Sequence, residues 1–339
     1  MRLHTPPVPA SALRSLGEQL GLDAVGAAPV GPYTRTEQYI RERRARGLFG
    51  RLRFTMARPE RSCHPERVLP EARSVVAAAL CYWADAPEPG PGEGRLPRYA
   101  WRDAYADLRE RLTALGELLG GSYRVLVDDN DHVDREAAVR AGVGFYGKNT
   151  LVITRGHGSW IVLGTLLTEA EIEAGAPVRQ GCGACTLCID ACPTDAIVEP
   201  GVLDATRCLS TWTQSPGSLP DDVMDALEDR VYGCDICQDV CPWNRGVEAR
   251  RAAAALPSDA RPTVPFADWL APDAPRLAAD TATLFVPRND ARWLRRNALV
   301  ALGNVGRDED VALAAAYADD EDDVLRTVAR RALERLGAA

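Results

Sequence analysis

The sequence contains almost no lysine: Lys148 is the single lysine among 40 basic residues, so arginine carries nearly all of the positive charge. The 48 acidic residues make the net charge −8. This balance excludes a globally basic nucleic-acid coat protein, although a local arginine patch can still hold RNA at one place. Histidine is also scarce, with four residues, and no two of them have the spacing of a metal-binding pair.

Long hydrophobic segments are absent as well. The longest apolar run, residues 75–84, is far shorter than the ~20 residues that a membrane-spanning helix needs. The first nine residues are polar and proline-rich, without the basic start and apolar core of a signal peptide. We therefore expect a protein that spans no membrane and is located in the cytoplasm.

The composition is that of a folded protein. Over 339 residues, 46% are hydrophobic and 26% are charged, which is typical of a globular chain of about two domains. The first half alternates between helical and strand patterns, which predicts an α/β layer architecture. Helices are predicted at 11–20, 34–46, 102–119 and 134–141, and strands at 24–30, 74–83, 123–127, 151–154 and 160–167.

The spacing of the cysteines is the most specific functional signal in the sequence. Ten cysteines are present, and the last eight lie between Cys182 and Cys241. Without an export signal, such a cluster indicates metal before it indicates disulfides. The first run has the spacing C-x2-C-x2-C-x3-C-P, which is that of bacterial ferredoxins. The second run, C-x2-C-x3-C-P from Cys234, gains its fourth member from Cys208.

Eight thiolates predict two 4Fe-4S clusters. In this pattern three closely spaced cysteines bind one cluster, and the cysteine before proline binds the other. The predicted ligands are therefore Cys182, Cys185, Cys188 and Cys241 for the first cluster, and Cys192, Cys208, Cys234 and Cys237 for the second. Zinc is the alternative, because it also accepts four thiolates. Cys63 and Cys81 remain and are interpreted as structural.

The tail of the chain repeats itself. Arg296, Ala298, Leu299, Leu302 and Gly303 all recur 34 positions later. Such an offset between helical segments is typical of a HEAT-like stacked repeat. The acidic run 319–323 between the two segments is interpreted as a turn whose carboxylates favour the next helix N-terminus. Residues 247–283 lack clean periodicity and are interpreted as a linker with a few short turns.

Two clusters alone only move electrons, one at a time. The long segment before them is far larger than a carrier needs, so we expect a terminal acceptor in the N-terminal domain. A nucleotide is not supported, because the only G-x-G-x-x-G, residues 142–147, follows a predicted helix instead of a strand.

Several stretches carry a family resemblance. Residues 127–136 (VDDNDHVDRE) lead into a glycine-rich stretch that ends at Gly147-Lys148-Asn149. Gly158-Ser159 precedes the next strand, and YGCD and CPWN frame the second cysteine run. The terminal repeat starts with Arg296-Asn297-Ala298-Leu299. In this ordered combination the chain resembles the epoxyqueuosine reductases of tRNA modification over nearly its full length.

The resemblance implies a base-off cobalamin between the N-terminal domain and the cysteine module. The two clusters would reduce it, and it would remove the epoxide oxygen of epoxyqueuosine at the wobble position of tRNA. Asp128 matches the family aspartate proposed as the proton donor to the departing oxygen. A carboxyl group in such a site can have its pKa raised enough to act as an acid. Implied cobalamin contacts are Arg61, Lys148, Val152, Leu163, Leu166 and Leu209.

The expected fold class is α+β. It comprises an N-terminal α/β cobalamin-binding domain (1–175), a two-cluster bacterial ferredoxin-like module (176–246), the linker (247–283) and a C-terminal helical HEAT-like repeat (284–339). The expected partners are tRNA carrying epoxyqueuosine and an external electron donor of the flavodoxin or ferredoxin type, with the chain acting as a monomer. RNA phosphates are expected to meet Arg288, Arg292, Arg295 and Arg296, whose alternative interpretation is a solvated helix face.

The chain departs from the family pattern at two places. Asp129-Asn130-Asp131 adds negative charge beside Asp128, where the family has small residues. Asp103-Ala104-Tyr105 stands where the family has Asp-Tyr-His. Both departures concern the substrate side, so a divergent paralogue is possible. The alternatives are a cobalamin-dependent reductase of another substrate, similar to reductive dehalogenases, and a two-cluster electron-transfer protein without catalysis.

Overall fold

The computed structural model describes residues 6–51, 54–85, 87–252, 255–272 and 274–338. In these residues the strands are β1 (Ala24–Pro29), β2 (Ser74–Cys81), β3 (Glu93–Arg95), β4 (Tyr123–Val127), β5 (Gly144–Tyr146), β6 (Val152–Thr154), β7 (Ile161–Thr168), β8 (Ile197–Glu199), β9 (Val202–Leu203) and β10 (Thr263–Pro265). The predicted strands of the first half are confirmed, with bounds that differ by at most two residues.

The helices follow the same order along the chain. They are α1 (Ala10–Gln19), α2 (Thr34–Ala45), α3 (Pro59–Ser62), α4 (Pro65–Val68), α5 (Ala104–Leu119), α6 (Asp134–Arg140), α7 (Leu187–Asp190), α8 (Leu209–Thr213), α9 (Asp221–Ala226), α10 (Ile236–Asp239), α11 (Arg245–Arg251), α12 (Phe266–Leu270), α13 (Pro275–Thr283), α14 (Arg292–Val305), α15 (Val311–Ala315) and α16 (Asp323–Arg335). Short 3-10 turns occur at Phe54–Met56, Arg98–Ala100, Pro287–Asn289 and Asp308–Asp310.

A four-stranded antiparallel sheet with the order β1-β2-β7-β4 forms the centre of the first half. Every residue of β2 is buried, because helices cover both faces of this strand. One face packs on α5, whose Leu108, Leu112 and Leu115 are 0% exposed. Each buried leucine contributes ~1.5–3 kcal/mol, so this stripe alone fixes α5 on the sheet. The other face packs on α6, which begins seven residues after the last residue of β4, Val127.

The second half is built around one hydrophobic core. This core joins residues of the cysteine module, such as Leu209 and Leu227, to the helices α12, α14 and α16. The helices α14 and α16 pack on each other, and Asp322 caps α16 by accepting hydrogen bonds from Val324 N and Leu325 N at 2.8 and 3.2 Å. The predicted role of the acidic run at a helix N-terminus is thereby confirmed.

The segment 247–283 differs from the linker expected from the sequence. It contains most of α11, together with β10, α12 and α13. The strand β10 pairs with β3, and Phe266 and Trp269 are at most 1% exposed in the core of the second half. Its elements are short and each buries few residues, which explains why no clean period is visible in the sequence.

No helix in the described part of the chain combines the length and the hydrophobicity needed for a bilayer crossing.

Candidate active site

Two similar loops carry seven of the eight clustered cysteines: the first contains Cys182, Cys185, Cys188 and Cys192, and the second contains Cys234, Cys237 and Cys241. Cys208 directly precedes α8. Each loop includes a one-turn helix, α7 or α10, and these two helices contact each other. All eight cysteines are free thiols. Burial raises the pKa of Cys188, and its neighbours Cys182, Cys241 and Cys185 raise it further. These are the four residues predicted for the first cluster.

The second set of thiols is grouped in the same way. Burial raises the pKa of Cys237 well above its usual value, and Cys234 and Cys208 add to the effect. Burial also raises the pKa of Cys208, which has Cys192 as its charged neighbour. The described residues contain no group of three or more His, Cys, Asp or Glu arranged around a single metal ion. The thiolates around a single zinc ion each lie about 2.3 Å from the metal. The thiolates of a 4Fe-4S cluster bind different iron atoms and therefore lie farther from one another.

Lys148 braces the first cysteine loop. Its Nζ donates hydrogen bonds to the carbonyl oxygens of Gly183 and Cys185, each at 2.8 Å. Gly183 lies between the predicted ligands Cys182 and Cys185, and Cys185 is itself a predicted ligand of the first cluster. The structure therefore places the ammonium of Lys148 on this loop, whereas the sequence interpretation assigned it to cobalamin.

A buried amide network joins the central sheet to the second cysteine loop. Asn244 is 0% exposed; its Oδ1 accepts from Ser159 N at 2.7 Å and its Nδ2 donates to Gln238 O at 2.7 Å. Gln238 in turn donates to Ser159 O at 2.9 Å. Gly158 has φ +59, and a Cβ at this position would lie 1.9 Å from Asn244 Oδ1. Only glycine therefore fits, which gives a physical reason for two motifs that the sequence showed without a function.

Asp128 lies at the end of β4 with a left-handed backbone, φ 51. Its side chain faces an open cleft of about 760 Å³, which is also lined by Asp103, Tyr105 and Arg109. Asp128 is an exposed residue, and partial desolvation at the cleft raises its pKa; Arg109 opposes this shift, and the carboxylates of Asp129 and Asp103 add to it. The shift is toward the protonated form, which is the direction that a proton donor requires.

Both sequence departures lie in or next to this cleft. Asp103 caps α5 by accepting from Ala106 N at 2.9 Å, and Tyr105 on the first turn of α5 lines the wall. Burial raises the pKa of Tyr105, although the residue keeps some accessible surface in the cleft. Sequence reasoning noted Tyr105 only as a departure and did not identify Arg109, because neither belongs to a motif.

The added acidic charge is neutralised locally. Asp131 forms ion pairs with Arg61 at 2.5 Å and with Arg58 at 3.3 Å. Its backbone N–H donates to Asp129 Oδ1 at 2.9 Å. Arg61, an expected cobalamin contact, is therefore engaged with the loop that carries Asp128.

The apolar residues expected at the cofactor do not share one surface. Leu163 and Leu166 lie on opposite faces of β7, in the two different cores of the sheet, so they cannot both line one corrin. Leu166 is 0% exposed against α5, and its expected contact is wrong for this reason. Val152 packs in the same core as Leu163, and Leu209 follows Cys208 in the core of the second half.

The four arginines expected to contact RNA also differ in their burial and in their partners. Arg296 is 0% exposed, and a guanidinium buried in this way cannot meet a phosphate at the surface, which corrects its prediction. Arg292 pairs with Asp290 at 2.6 Å and with Asp322 at 2.8 Å. Arg295 donates to Trp269 O at 3.3 Å. Arg288 is exposed and, alone of the four, forms no hydrogen bond or ion pair with the residues that the structure describes.

Comparisons with known proteins follow the same division of the chain. Residues 62–129 match the family model described as "Epoxyqueuosine reductase QueG, DUF1730". Residues 181–244 match a 4Fe-4S double cluster binding domain. The second match favours iron-sulfur clusters over zinc at the eight cysteines.

Individual relatives extend these matches. The epoxyqueuosine reductase of Bacillus subtilis (strain 168) is 41% identical over 198 residues, which are 55% of this chain and only 51% of that protein. The one from Xanthomonas campestris pv. campestris is 32% identical over 332 residues, covering 94% of this chain and 93% of the relative. A crystal structure of epoxyqueuosine reductase with an epoxyqueuosine-modified tRNA-Tyr stem loop has a TM-score of 0.86 and 30% identity, covering 96% of this chain and 90% of that chain. The chain belongs to the epoxyqueuosine reductase family of oxidoreductases.

Proposed function

We propose that this chain reduces epoxyqueuosine to queuosine at the wobble position of tRNA, with two 4Fe-4S clusters and a cobalamin. The observation that carries the proposal is Asp128, a carboxyl group with a raised pKa on an open cleft that Tyr105 and Arg109 also line. The reaction takes up two electrons and two protons, turns the epoxide into an alkene and releases its oxygen as water. Cobalamin, when bound, supplies a low-valent metal that accepts and passes on both electrons.

The residues of this chain contribute the proton and the geometry. Asp128 holds a proton at its carboxyl group and donates it to the departing epoxide oxygen. Arg109 limits the rise of the Asp128 pKa, so that the carboxyl group can also lose its proton. The ion pairs of Asp131 with Arg58 and Arg61 hold the loop that presents Asp128.

The cluster ligands are assigned as the sequence predicts. Cys182, Cys185, Cys188 and Cys241 hold the first cluster, and the other four hold the second. Support comes from the mutual effects of these thiols on their pKa values and from the double-cluster family model. An external donor of the flavodoxin or ferredoxin type supplies electrons to the clusters one at a time.

One unsatisfied polar group supports the cobalamin site. Asn149 is 4% exposed, and its Nδ2 has no hydrogen-bond partner in the described chain. Its Oδ1 accepts from Leu151 N at 3.2 Å. A buried amide N–H without an acceptor is costly, and the amide groups around a corrin are acceptors of the required kind. We assign Asn149, with Val152 and Leu163, to the side of the N-terminal domain that faces the cofactor.

The domain division follows from these assignments. Residues 1–175 form the cobalamin-binding domain, 176–246 the ferredoxin-like module, and α14 and α16 a short HEAT-like repeat. Arg288 is the part of the predicted arginine patch that remains available to tRNA phosphates. A tRNA substrate implies a cytoplasmic enzyme, and we propose that it acts as a monomer.

The test uses the full chain, purified anaerobically, with its clusters reconstituted. Iron and cobalt are measured, and the protein is incubated with reductant, cobalamin and a stem loop that carries epoxyqueuosine. Mass spectrometry of the nucleosides should show loss of one oxygen atom only when cobalamin is present. Iron and cobalt binding without conversion, together with reduction of a halogenated aromatic compound, would favour the alternative substrate. Two clusters without cobalt binding would favour the electron-transfer protein.

A further inference from the structure

Arg296 combines full burial with a positive charge that no carboxylate among the described residues offsets. Its side chain is 0% exposed, and the groups that influence its pKa are burial and a second cation, Arg51. Burial lowers the pKa of Arg296 to about 9, so the guanidinium stays charged at neutral pH. A buried unpaired ion is strongly destabilising unless its donors are satisfied and an opposite charge lies near.

All five N–H donors of Arg296 are satisfied. Nη1 donates to Ser215 O at 2.8 Å and to Gly217 O at 2.5 Å. Nη2 donates to Trp212 O at 3.0 Å and to Asn297 Oδ1 at 2.8 Å, and Nε donates to the same Oδ1 at 3.1 Å. Asn297 Nδ2 then donates to Thr213 O at 2.9 Å. Arg296 and Asn297 of α14 therefore bind the carbonyl groups at the C-terminal end of α8 and in the loop that follows.

The helix α8 connects this network to one predicted cluster ligand. Cys208 directly precedes α8, and its carbonyl oxygen accepts from Trp212 N at 3.1 Å. A helix of five residues is only ~7.5 Å long. Cys208 therefore lies at one end of α8, and Arg296 binds the carbonyl groups at the other end of the same short helix.

Thr213 connects the network to a second predicted ligand. Its hydroxyl accepts a hydrogen bond from Gly233 N at 2.9 Å, one residue before Cys234. Gly233 has φ +58, and a Cβ there would lie 2.5 Å from Pro97 Cγ, so this turn cannot shift easily. Two of the four thiolates of the second cluster are thus held by segments that Arg296 and Asn297 fasten to α14.

We propose that Arg296, together with Asn297, is a positioning residue for the second 4Fe-4S cluster. The inference rests on the proposed function, because it assumes that Cys192, Cys208, Cys234 and Cys237 hold that cluster. Arg296 and Asn297 fasten the end of α8 and its following loop to α14, and through them the segments that carry Cys208 and Cys234. The Arg-Asn start of the terminal repeat then serves the cluster instead of RNA binding.

The test compares Arg296→Gln and Arg296→Lys in the reconstituted full chain. Arg292→Gln is the matched control, because Arg292 lies one turn earlier on α14 and pairs with surface aspartates. Iron per chain, iron release to a chelator and a redox titration followed by electron paramagnetic resonance are measured. In Arg296→Gln the second cluster should be lost or should release its iron faster than in the wild-type protein, while the first cluster keeps its wild-type potential and iron release. Arg296→Lys should also release iron from the second cluster faster, because lysine cannot replace the five N–H donors of the guanidinium.

The readouts separate the possible failures. Wild-type potentials and iron release for both clusters in Arg296→Gln would overturn the inference. If that variant does not fold, wild-type iron release in Arg296→Lys would overturn it instead. Equal changes in both clusters, or the same changes in Arg292→Gln, would also contradict a specific role. A wild-type protein that holds no pair of cubane clusters would refute the cofactor assignment of the proposed function itself, before any variant is compared.

Discussion

Lys148 offers a quantitative test of the first cysteine loop, because it is the only lysine in the sequence. Lys148→Met keeps the length and apolar stem of the side chain but removes the two 2.8 Å hydrogen bonds to Gly183 O and Cys185 O. A hydrogen bond from a charged donor contributes about 1.5–3 kcal/mol, and a solvent-exposed one less. Since the Gly183 bond is exposed and the Cys185 bond is half-buried, we expect a loss of about 2 kcal/mol, or roughly 30-fold in the equilibrium for opening the loop.

The assay is anaerobic iron release from the reconstituted protein to a chelator. Wild-type protein should release both clusters slowly, whereas Lys148→Met should release half of its iron up to about 30-fold faster. Arg179→Met is the matched control, since Arg179 is an exposed basic residue near the same loop. The reasoning is refuted if both variants release iron as wild type does, or if the faster half comes from the second cluster.

Three further predictions concern the cleft, the amide network and the RNA surface. Activity should fall as pH rises through the raised pKa of Asp128, because the donor must be protonated. Arg109→Gln removes the cation that lowers this pKa, so the fall in activity should occur at higher pH in this variant. An unchanged pH profile in Arg109→Gln would contradict this account. Asn244→Ala leaves Ser159 N and Gln238 O without their buried partner. The free energy of unfolding, measured by urea titration, should therefore fall by about 2–4 kcal/mol. A loss under ~0.5 kcal/mol would show that the network is dispensable. Arg288→Ala should weaken tRNA stem-loop binding and reduce its salt dependence, while Arg292→Ala should have a smaller effect; equal effects would show that the ion pairs of Arg292 open on binding.

The secondary structure of the first half could be predicted because its elements are long and regular. The face of α5 repeats leucine at helical spacing, and β2 is a continuous apolar run bounded by polar residues. Residues 247–283 could not be predicted, because short helices such as α12 are stabilised by contacts with α14 instead of by their own period. Cysteine spacing predicts the ligand groups, since ferredoxin loops are local in sequence, and the match to a 4Fe-4S double cluster binding domain agrees with the type of site.

The errors concern side chains whose role depends on distant contacts. A run of arginines at the start of α14 has the composition of an RNA-binding patch, yet the helix turns Arg296 inward and Arg292 toward Asp322. Leu163 and Leu166 are three residues apart, which places them on opposite faces of a strand. The period of two was available from the sequence and should have separated these residues. The pairing of Asp131 with Arg61 joins the loop after β4 to the helix α3, far apart in the chain, and has no local signal.

The most direct test of the central claim compares wild-type protein with Asp128→Asn, both loaded with two clusters and cobalamin. Each is incubated anaerobically with reductant and a stem loop carrying epoxyqueuosine, and the nucleosides are measured by mass spectrometry over time. Because asparagine keeps the shape of the side chain but cannot act as the acid, conversion to queuosine should fall by at least about 100-fold with metal content and stem-loop affinity unchanged. Conversion at the wild-type rate by Asp128→Asn would contradict the assignment of Asp128 as the proton donor, and absence of conversion by the loaded wild-type protein would contradict the proposed function.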